Sequence, residues 1–475
     1  MRFTVDELLR AGSHKWDKKD VDIVILRNLE DLCRKINALG YEPPMRATSC
    51  LRSIADQKRI NPKAMGSSHC FDTETEILTH KGWKKYKEIS VGDDIFSFNM
   101  DTGAIENDKI KNIIIQNYTG NMVHISNTRI DICVTDLHEL VLKKDNNQYI
   151  RNQNNPTKGE KIANSIYIQE KKKPYKKQYA KDLLGKRKKF VVSAQKELQP
   201  TEPSFFDLLV CAFICDGFYT SANVISFNFI RQRKINRLKS ILDECGIEYK
   251  TYSISRKKNK GETIRITNPQ IVSKIRKLCG KDKNIPVQWL TRDSNNINAL
   301  LKELCFYDGH YDNRTGCESF LFTTTNVNNK DIISAMGCLC GHRAIVSALK
   351  RTSENDRWKD AYNIYFKPTQ YVRHEATQSK NIEYIEGVEN KIVWCIQSCN
   401  TTLIVRRNGK IFISGNCFGA AADIADADGK LKAWCVANKS KLIECGLWME
   451  DPKYTSSWCH LQIYTPLSMN RYFNP

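Results

Sequence analysis

Two short stretches of this chain carry one pattern. Leu209-Val210-Cys211-Ala212-Phe213-Ile214-Cys215-Asp216-Gly217 and Leu301-Lys302-Glu303-Leu304-Cys305-Phe306-Tyr307-Asp308-Gly309 each read as an apolar helix closing on Asp-Gly. Either one alone is an ordinary helix with a stop signal. Their recurrence constrains the fold between them, where residues 205–375 alternate helical and strand patterns. The flanks differ. Residues 76–142 hold short β-rich runs such as Asp94-Ile95-Phe96-Ser97-Phe98, and residues 391–416 are β again. Residues 143–200 are polar and basic and read as an exposed linker or arm. Residues 1–69 read as helix and loop, with helical apolar spacing over Val21–Leu39 and a stop at Gly40; residues 417–475 are mixed α/β.

Composition bounds the function classes. The chain has 475 residues, an apolar fraction of 41% and a net charge of +21. Most of that charge falls in residues 70–416. A basic body suits a nucleic-acid partner, and simple solubility explains the charge equally well. No apolar run long enough for a membrane span is present, and Met1–Glu7 is charged, unlike a signal peptide. The expectation is a cytoplasmic protein without a membrane partner. Eighteen dispersed cysteines then read as reduced thiols.

The twin motif resembles that of LAGLIDADG (DOD-type) homing endonucleases. The resemblance implies that two packed helices deliver Asp216 and Asp308 to adjacent sites, where they hold Mg²⁺ against the phosphates of double-stranded DNA. Lys283-Asn284-Ile285-Pro286 is similar to a stretch that precedes the second motif in relatives. Cys211 and Glu303 depart from the pattern, standing where close packing favours glycine or alanine. The Lys/Arg runs at 171–189, interleaved with Tyr175 and Tyr179, read as phosphate contacts or as a solvated linker.

Outside this region, Cys70-Phe71-Asp72-Thr73 and Gly415-Asn416-Cys417 resemble the two ends of an intein, a Hint-type protein-splicing domain. The resemblance implies that the Cys70 thiol attacks the His69 carbonyl and that Cys417 takes over the acyl group. Asn416 then cyclises and releases the insert, without a cofactor. Thr135-Asp136-Leu137-His138 is similar to the Thr-x-x-His motif of such domains. Thr135 would position the bond, and His138 would act as general acid on its nitrogen. Cys395 is a candidate helper, beside its reading as a structural thiol. Gly415 departs from the histidine common at that place.

Joining 1–69 to 417–475 yields Ser67-Ser68-His69-Cys417-Phe418-Gly419-Ala420-Ala421-Ala422-Asp423. This, with Trp458-Cys459-His460 and Thr48-Ser49-Cys50-Leu51-Arg52-Ser53, resembles D-Ala-D-Ala carboxypeptidase-like zinc peptidases. The implied Zn²⁺ ligands are His69, Asp423 and His460, with Arg52 stabilising charge on the scissile carbonyl. Glu450 is favoured over Asp451 as general base. The implied substrate is peptidoglycan stem peptides, in a phage (endolysin-like) or bacterial setting.

The expected fold class is multi-domain. An all-β Hint splicing domain (70–200 and 386–416) carries an inserted α/β LAGLIDADG domain (201–385) inside a split α+β peptidase host (1–69 and 417–475). The leading reading is a self-splicing precursor with a DNA endonuclease and a zinc peptidase. Two others stand beside it: a DNA-binding or endonuclease protein with inactive splicing, and a zinc peptidase with an inert insertion.

Overall fold

A computed structural model describes residues 4–11, 23–49, 70–144, 174–183, 186, 188–196, 198–256, 259–312, 319–349, 360–374, 382–415, 421–462 and 471–473. The chain is mixed α/β with predominantly antiparallel sheets. It divides into two compact units: one takes residues 1–68, 395–401 and 417–475, the other residues 69–394 and 402–416.

In the first unit, Thr4 and Glu7 form a reciprocal cap that starts the helix Val5–Arg10. The amphipathic stretch expected over Val21–Leu39 is the helix Ile23–Ala38, and Gly40 follows in the left-handed conformation that a side chain would resist. Leu8, Leu29, Leu32 and Ile36 are buried with Ile424, Met449, Cys459 and Leu461. The sheet runs Ala47–Ser49, Ala421–Ala425, Trp458–Gln462, Trp448–Glu450, Tyr472–Phe473. Its last pair is parallel.

The second unit holds a ten-stranded sheet and a helix–sheet repeat. Along the large sheet the order is Tyr371–His374, Lys188–Val191, Glu139–Lys143, Lys410–Gly415, Thr402–Arg407, Glu76–Thr79, Asp94–Phe98, Ile105–Lys109. Gly82–Lys85 and Tyr175–Tyr179 pair off this path. The reading of 143–200 as a linker is therefore corrected. Its described parts include two strands, and Tyr175–Tyr179 is fully paired with Glu139–Lys143. Lysine density suggested solvent, but Tyr175, Phe190 and Val191 supply enough apolar surface to join the sheet.

The repeat runs helix, two strands, helix, two strands, twice over. Its first half is Phe205–Asp216, Gly217–Ser221, Val224–Phe229, Gln232–Glu244, Lys250–Arg256, Asn259–Ile266. Its second half is Ser294–Asp308, Gly309–Asp312, Ser319–Thr324, Val327–Leu339, Arg343–Leu349, Ala361–Lys367. Each four-stranded sheet has the same order of first, second, fourth and third strand. The motif helices begin at side-chain caps, Ser204 with Asp207 and Asp293 to the amides of Asn295 and Asn296.

Close approach explains the Asp-Gly endings. A Cβ on Gly309 would lie 1.9 Å from the Leu321 carbonyl oxygen and 2.8 Å from that of Cys305, so no other residue fits where this helix turns directly into a strand. Inside the helices Leu209, Val210, Ala212, Phe213, Leu300, Leu301 and Leu304 are buried. Burial of each large apolar side chain is worth roughly 1.5–3 kcal/mol.

Two polar clamps hold the repeat to the large sheet. Arg406 donates to both oxygens of Glu76 (2.7 and 3.0 Å) and to both of Asp331 (2.8 and 3.1 Å), while its guanidinium lies over Trp83. Lys196 is buried, donates from Nζ to the Leu290 carbonyl at 3.2 Å, and is pulled down to about 8 by burial. Asp293 opposes that pull.

Candidate functional sites

The first site lies at the ends of the two motif helices. Cys211 and Cys215 direct their thiols at the Leu300 and Leu304 carbonyls of the other helix, at 3.9 and 3.7 Å. Cys211 thus serves in the seam, where its small thiol both packs and donates. Glu303 is accommodated differently. It is buried and accepts two hydrogen bonds from Arg237, at 3.0 and 2.7 Å. A planar guanidinium matches a carboxylate in this way, which reconciles an acid with a buried helix face.

Asp216 and Asp308 share one cation. Lys234, on the helix Gln232–Glu244, places Nζ 2.6 Å from Asp216 and 4.0 Å from Asp308. Asp308 is pushed up to about 6, first by burial and then by the Asp216 charge, with Lys234 and Lys283 opposing. Lys283, in the left-handed conformation, donates to the Cys215 and Gly217 carbonyls at 3.4 and 3.0 Å. The residues present suit a hard divalent cation: two carboxylates converge, and their mutual repulsion already draws in a positive charge. Sequence reasoning missed Lys234, whose helix shows only ordinary amphipathic spacing.

Around the acidic pair, each sheet turns an apolar face inward and a polar face outward. Ile225, Phe227 and Ile264 are buried. On the opposite face Thr263 donates to Asn228 at 2.8 Å, and Arg265 lies over the exposed Tyr252 ring. The second repeat has the same polar pair, with Thr323 donating to Asn363 at 2.8 Å.

The second site surrounds Cys70. The strand Asp131–Thr135 ends in a tight turn in which the His138 amide donates to the Thr135 carbonyl at 3.0 Å, and the strand Glu139–Lys143 follows. That turn brings the two residues of the Thr-x-x-His stretch together. Thr135 grips Cys70 from both sides of the residue: its hydroxyl accepts the Cys70 amide at 2.9 Å, and its own amide donates to the Cys70 carbonyl at 3.0 Å. Gln116 donates to the Cys70 thiol at 3.7 Å. His138 is buried, lies tilted against Phe71 with ring centroids 4.4 Å apart, and bonds Ser414 Oγ through Nε2 at 2.7 Å.

Phe71 is fixed by reciprocal bonds with Trp394, at 2.8 and 3.0 Å. Arg407 then ties Asp72 (2.9 Å) to Asp131 (2.6 Å), and Asp131 sits well below the usual carboxylate range. Burial there is outweighed by hydrogen bonds from His124, Asn408 and Arg407. Gly415 has a steric reason to lack a side chain: a Cβ would lie 2.6 Å from the Glu139 carbonyl oxygen. Gln116 and Ser414 were not found from sequence, since neither belongs to a local pattern. Cys395 belongs to the first unit, where its buried thiol points at the Ile396 carbonyl at 3.5 Å. Asn416 and Cys417 lie outside the described residues.

The third site is in the first unit. Strand pairing sets Asp423 opposite His460, and His460 Nδ1 bonds Asp423 Oδ1 at 2.7 Å. Burial opposes the imidazolium, yet the Asp423 hydrogen bond and charge raise its pKa overall, and Glu450 adds to this. Burial in turn raises Glu450. His69 and Arg52 lie outside the described residues. Among the described residues no group of three His, Cys, Asp or Glu side chains is placed to hold a metal. The Zn²⁺ expectation needs His69, which is outside the described residues; of its expected ligands, Asp423 and His460 lie within hydrogen-bond distance of each other.

No family model matches the chain. It is 23% identical over 399 residues to the ribonucleoside-diphosphate reductase subunit beta of Aquifex aeolicus (strain VF5), a match covering 80% of this chain. The chain spans about half the length of that relative, 53%. Solved structures with partial likeness include the homing endonuclease I-DmoI in complex with DNA and Mn (TM-score 0.25, 12% identity, 34% of this chain and 89% of that chain). Another is full-length DUF199/WhiA (TM-score 0.26, 12% identity, 36% of this chain and 53% of that chain). At such scores the likenesses carry no inference. The family expectation is corrected by these findings. The curated relative is a reductase subunit, named neither as a splicing protein nor as a peptidase, and the assignment to those families is withdrawn.

Proposed function

We propose that residues 201–385 act on duplex DNA as a divalent-metal-dependent endonuclease-like body. The observation that carries this is the acidic pair: Asp216 and Asp308 at the ends of twin packed helices, sharing the Lys234 ammonium. Bound Mg²⁺ would supply charge neutralisation at a phosphate and a more acidic water. Asp216 and Asp308 would hold it. Lys234 would then be released toward the phosphate or leaving oxygen, as a proton donor already at the site. The polar outer faces of the two sheets, carrying Arg265, Tyr252 and the Thr–Asn pairs, offer donors to the DNA backbone.

The test uses linear duplex DNA encoding residues 1–69 joined to 417–475, incubated with Mg²⁺. Wild type cuts it, while D216N and D308N each lose at least about 100-fold in rate, as expected when a metal ligand is removed. Equal cutting by all three proteins ends this reading. Absence of cutting by the wild type leaves a DNA-binding body at most.

A second reading concerns the His69–Cys70 bond, for which we infer self-catalysed acyl transfer to the Cys70 thiol. It rests on the hydroxyl of Thr135 accepting the amide hydrogen of Cys70. That amide nitrogen is the leaving atom. His138, three residues on, lies against the next residue, Phe71, and is the acid to protonate it. The thiol would attack the carbonyl of residue 69, forming the C–S bond as the C–N bond breaks, with the proton ending on the nitrogen. The Cys417 thiol would then displace the Cys70 thiolate from that thioester, and the Asn416 side-chain nitrogen would attack its own backbone carbonyl, breaking the C–N bond to Cys417 and freeing residues 70–416; the acyl group would pass from the Cys417 sulfur to its amine.

Expression of the whole chain should give products of about 40 and about 15 kDa, scaled by length. C70A should abolish them. Products that persist in C70A would refute the transfer.

A further inference from the structure

The two halves of the repeat carry a second helix of the same length at the same place, Gln232–Glu244 and Val327–Leu339. The third residue is Lys234 in one and Asn329 in the other, and both are buried. Their contacts differ. Lys234 sends its ammonium to Asp216, the aspartate of its own half, at 2.6 Å. Asn329 instead holds the chain between the halves: Nδ2 donates to the Lys283 carbonyl at 3.0 Å, and Oδ1 accepts the Ile285 amide at 2.7 Å. Asn326, which caps that helix, adds Nδ2 bonds to the Asp282 carbonyl at 3.1 Å and to Asn284 Oδ1 at 3.0 Å.

The stretch held in this way carries Lys283, whose ammonium donates to the carbonyls of Cys215 and Gly217, on either side of Asp216. Lys330, in the first turn of the second half's helix, is bonded to Asp331 at 3.2 Å and lies over the Tyr362 ring of its own sheet. The register extends the difference: Arg233 and Arg237 of the first half correspond to Asn328 and Ile332 of the second. Both lysines that reach the ends of the motif helices therefore attend the first half's aspartate. Asp308 meets the Lys234 ammonium only at 4.0 Å.

A duplex offers the acidic pair two phosphates, one in each strand. Cutting either is the same reaction. Water adds to phosphorus, the bond to the leaving oxygen breaks, the attacking water loses a proton to solvent, and the leaving oxygen takes one up. An ammonium fixed beside one phosphate stabilises the charge gathering there and hands the leaving oxygen its proton; the phosphate without one draws that proton from solvent. We propose that the two strands are cut at unequal rates, the strand at Asp216 and Lys234 first, so that a nicked duplex is the intermediate. Asn329 marks where the second half departs from the first. This rests on the endonuclease reading above.

The test uses full-length protein, Mg²⁺ and the duplex encoding residues 1–69 joined to 417–475, with a different label on each strand. Wild type should cut one strand at least about tenfold faster than the other, and nicked duplex should rise before the double-strand product. K234M, its fold checked by circular dichroism, should slow the fast strand at least about tenfold and the slow strand less than about threefold, so that the bias is lost. Binding without divalent metal reads the same asymmetry apart from the chemistry. A neutral methylphosphonate placed at one cut position or the other removes one phosphate charge at a time. Wild type should separate these two duplexes by at least about threefold in affinity, and K234M should bind them alike. Equal strand rates in wild type, or equal binding of its two methylphosphonate duplexes, overturn the inequality and leave the endonuclease reading standing. A bias that K234M keeps intact overturns the assignment to Lys234. Failure of wild type to cut either strand removes the endonuclease reading and this inference together.

Discussion

Replacing Asp308 by Asn removes a carboxylate that the native state holds at a cost. In the unfolded chain this carboxyl titrates near 3.8; in the folded chain it is pushed up to about 6. A gap of that size corresponds to roughly 3 kcal/mol at about 1.36 kcal/mol per unit. The side chain is 38% exposed, so water screens much of the penalty, and roughly 1 kcal/mol is the expected remainder. The sign follows from linkage. Below about pH 4 the carboxyl is protonated in both states and Asn is nearly equivalent. Between about pH 4 and pH 6 the native state binds more protons than the unfolded state, so wild-type stability falls as pH rises.

D308N should therefore match wild type near pH 4 and exceed it by ~1 kcal/mol at pH 7.5. Hydrogen exchange of the segments 205–217 and 294–309 reads this locally, independently of the other unit. Saturating Mg²⁺ should stabilise wild type and leave D308N unmoved, closing the gap. A gap independent of pH, or D308N less stable at pH 7.5, would refute the claim that Asp308 is held against its own charge.

Three further outcomes follow from the geometry. R237M leaves Glu303 buried without its guanidinium and should cost about 3 kcal/mol, largely restored in the double variant R237M/E303Q; urea unfolding followed at Trp289 measures it. G415A drives a methyl against the Glu139 carbonyl and should destabilise the large sheet by at least about 1 kcal/mol, read by exchange of the amides in 410–415. H138A should slow thiol-induced cleavage at residue 70 by about 100-fold or more, and T135A less; a rate unchanged in H138A would remove it as the acid.

Much of the candidate chemistry was legible because it is local. An apolar run closing on Asp-Gly, a Thr and a His three apart, and the periodicity of Ile23–Ala38 all leave their mark within one element. The basic segment misled, because lysine density describes what surrounds a strand as poorly as it describes a linker. Tyr175–Tyr179 and Lys188–Val191 are held by cross-strand partners far away in the chain, which a local window does not contain. The family assignment failed for a related reason: short end-motifs match chemistry more readily than descent, and the broader match is to a reductase subunit.

What the amino-acid sequence by itself determined is the repeat: two helices of one pattern, each with an aspartate at its end and a glycine where the backbone must come too close for a side chain. Only the tertiary structure decided what those aspartates face. Lys234 reaches both carboxylates because its own helix folds back over the motif pair. Ser414 meets His138 because a strand from the far end of residues 70–416 lies beside the Glu139–Lys143 strand. Charges and hydrogen bonds act through space over a few ångströms, and which residues come that close is a property of the closed sheets, not of their order along the chain.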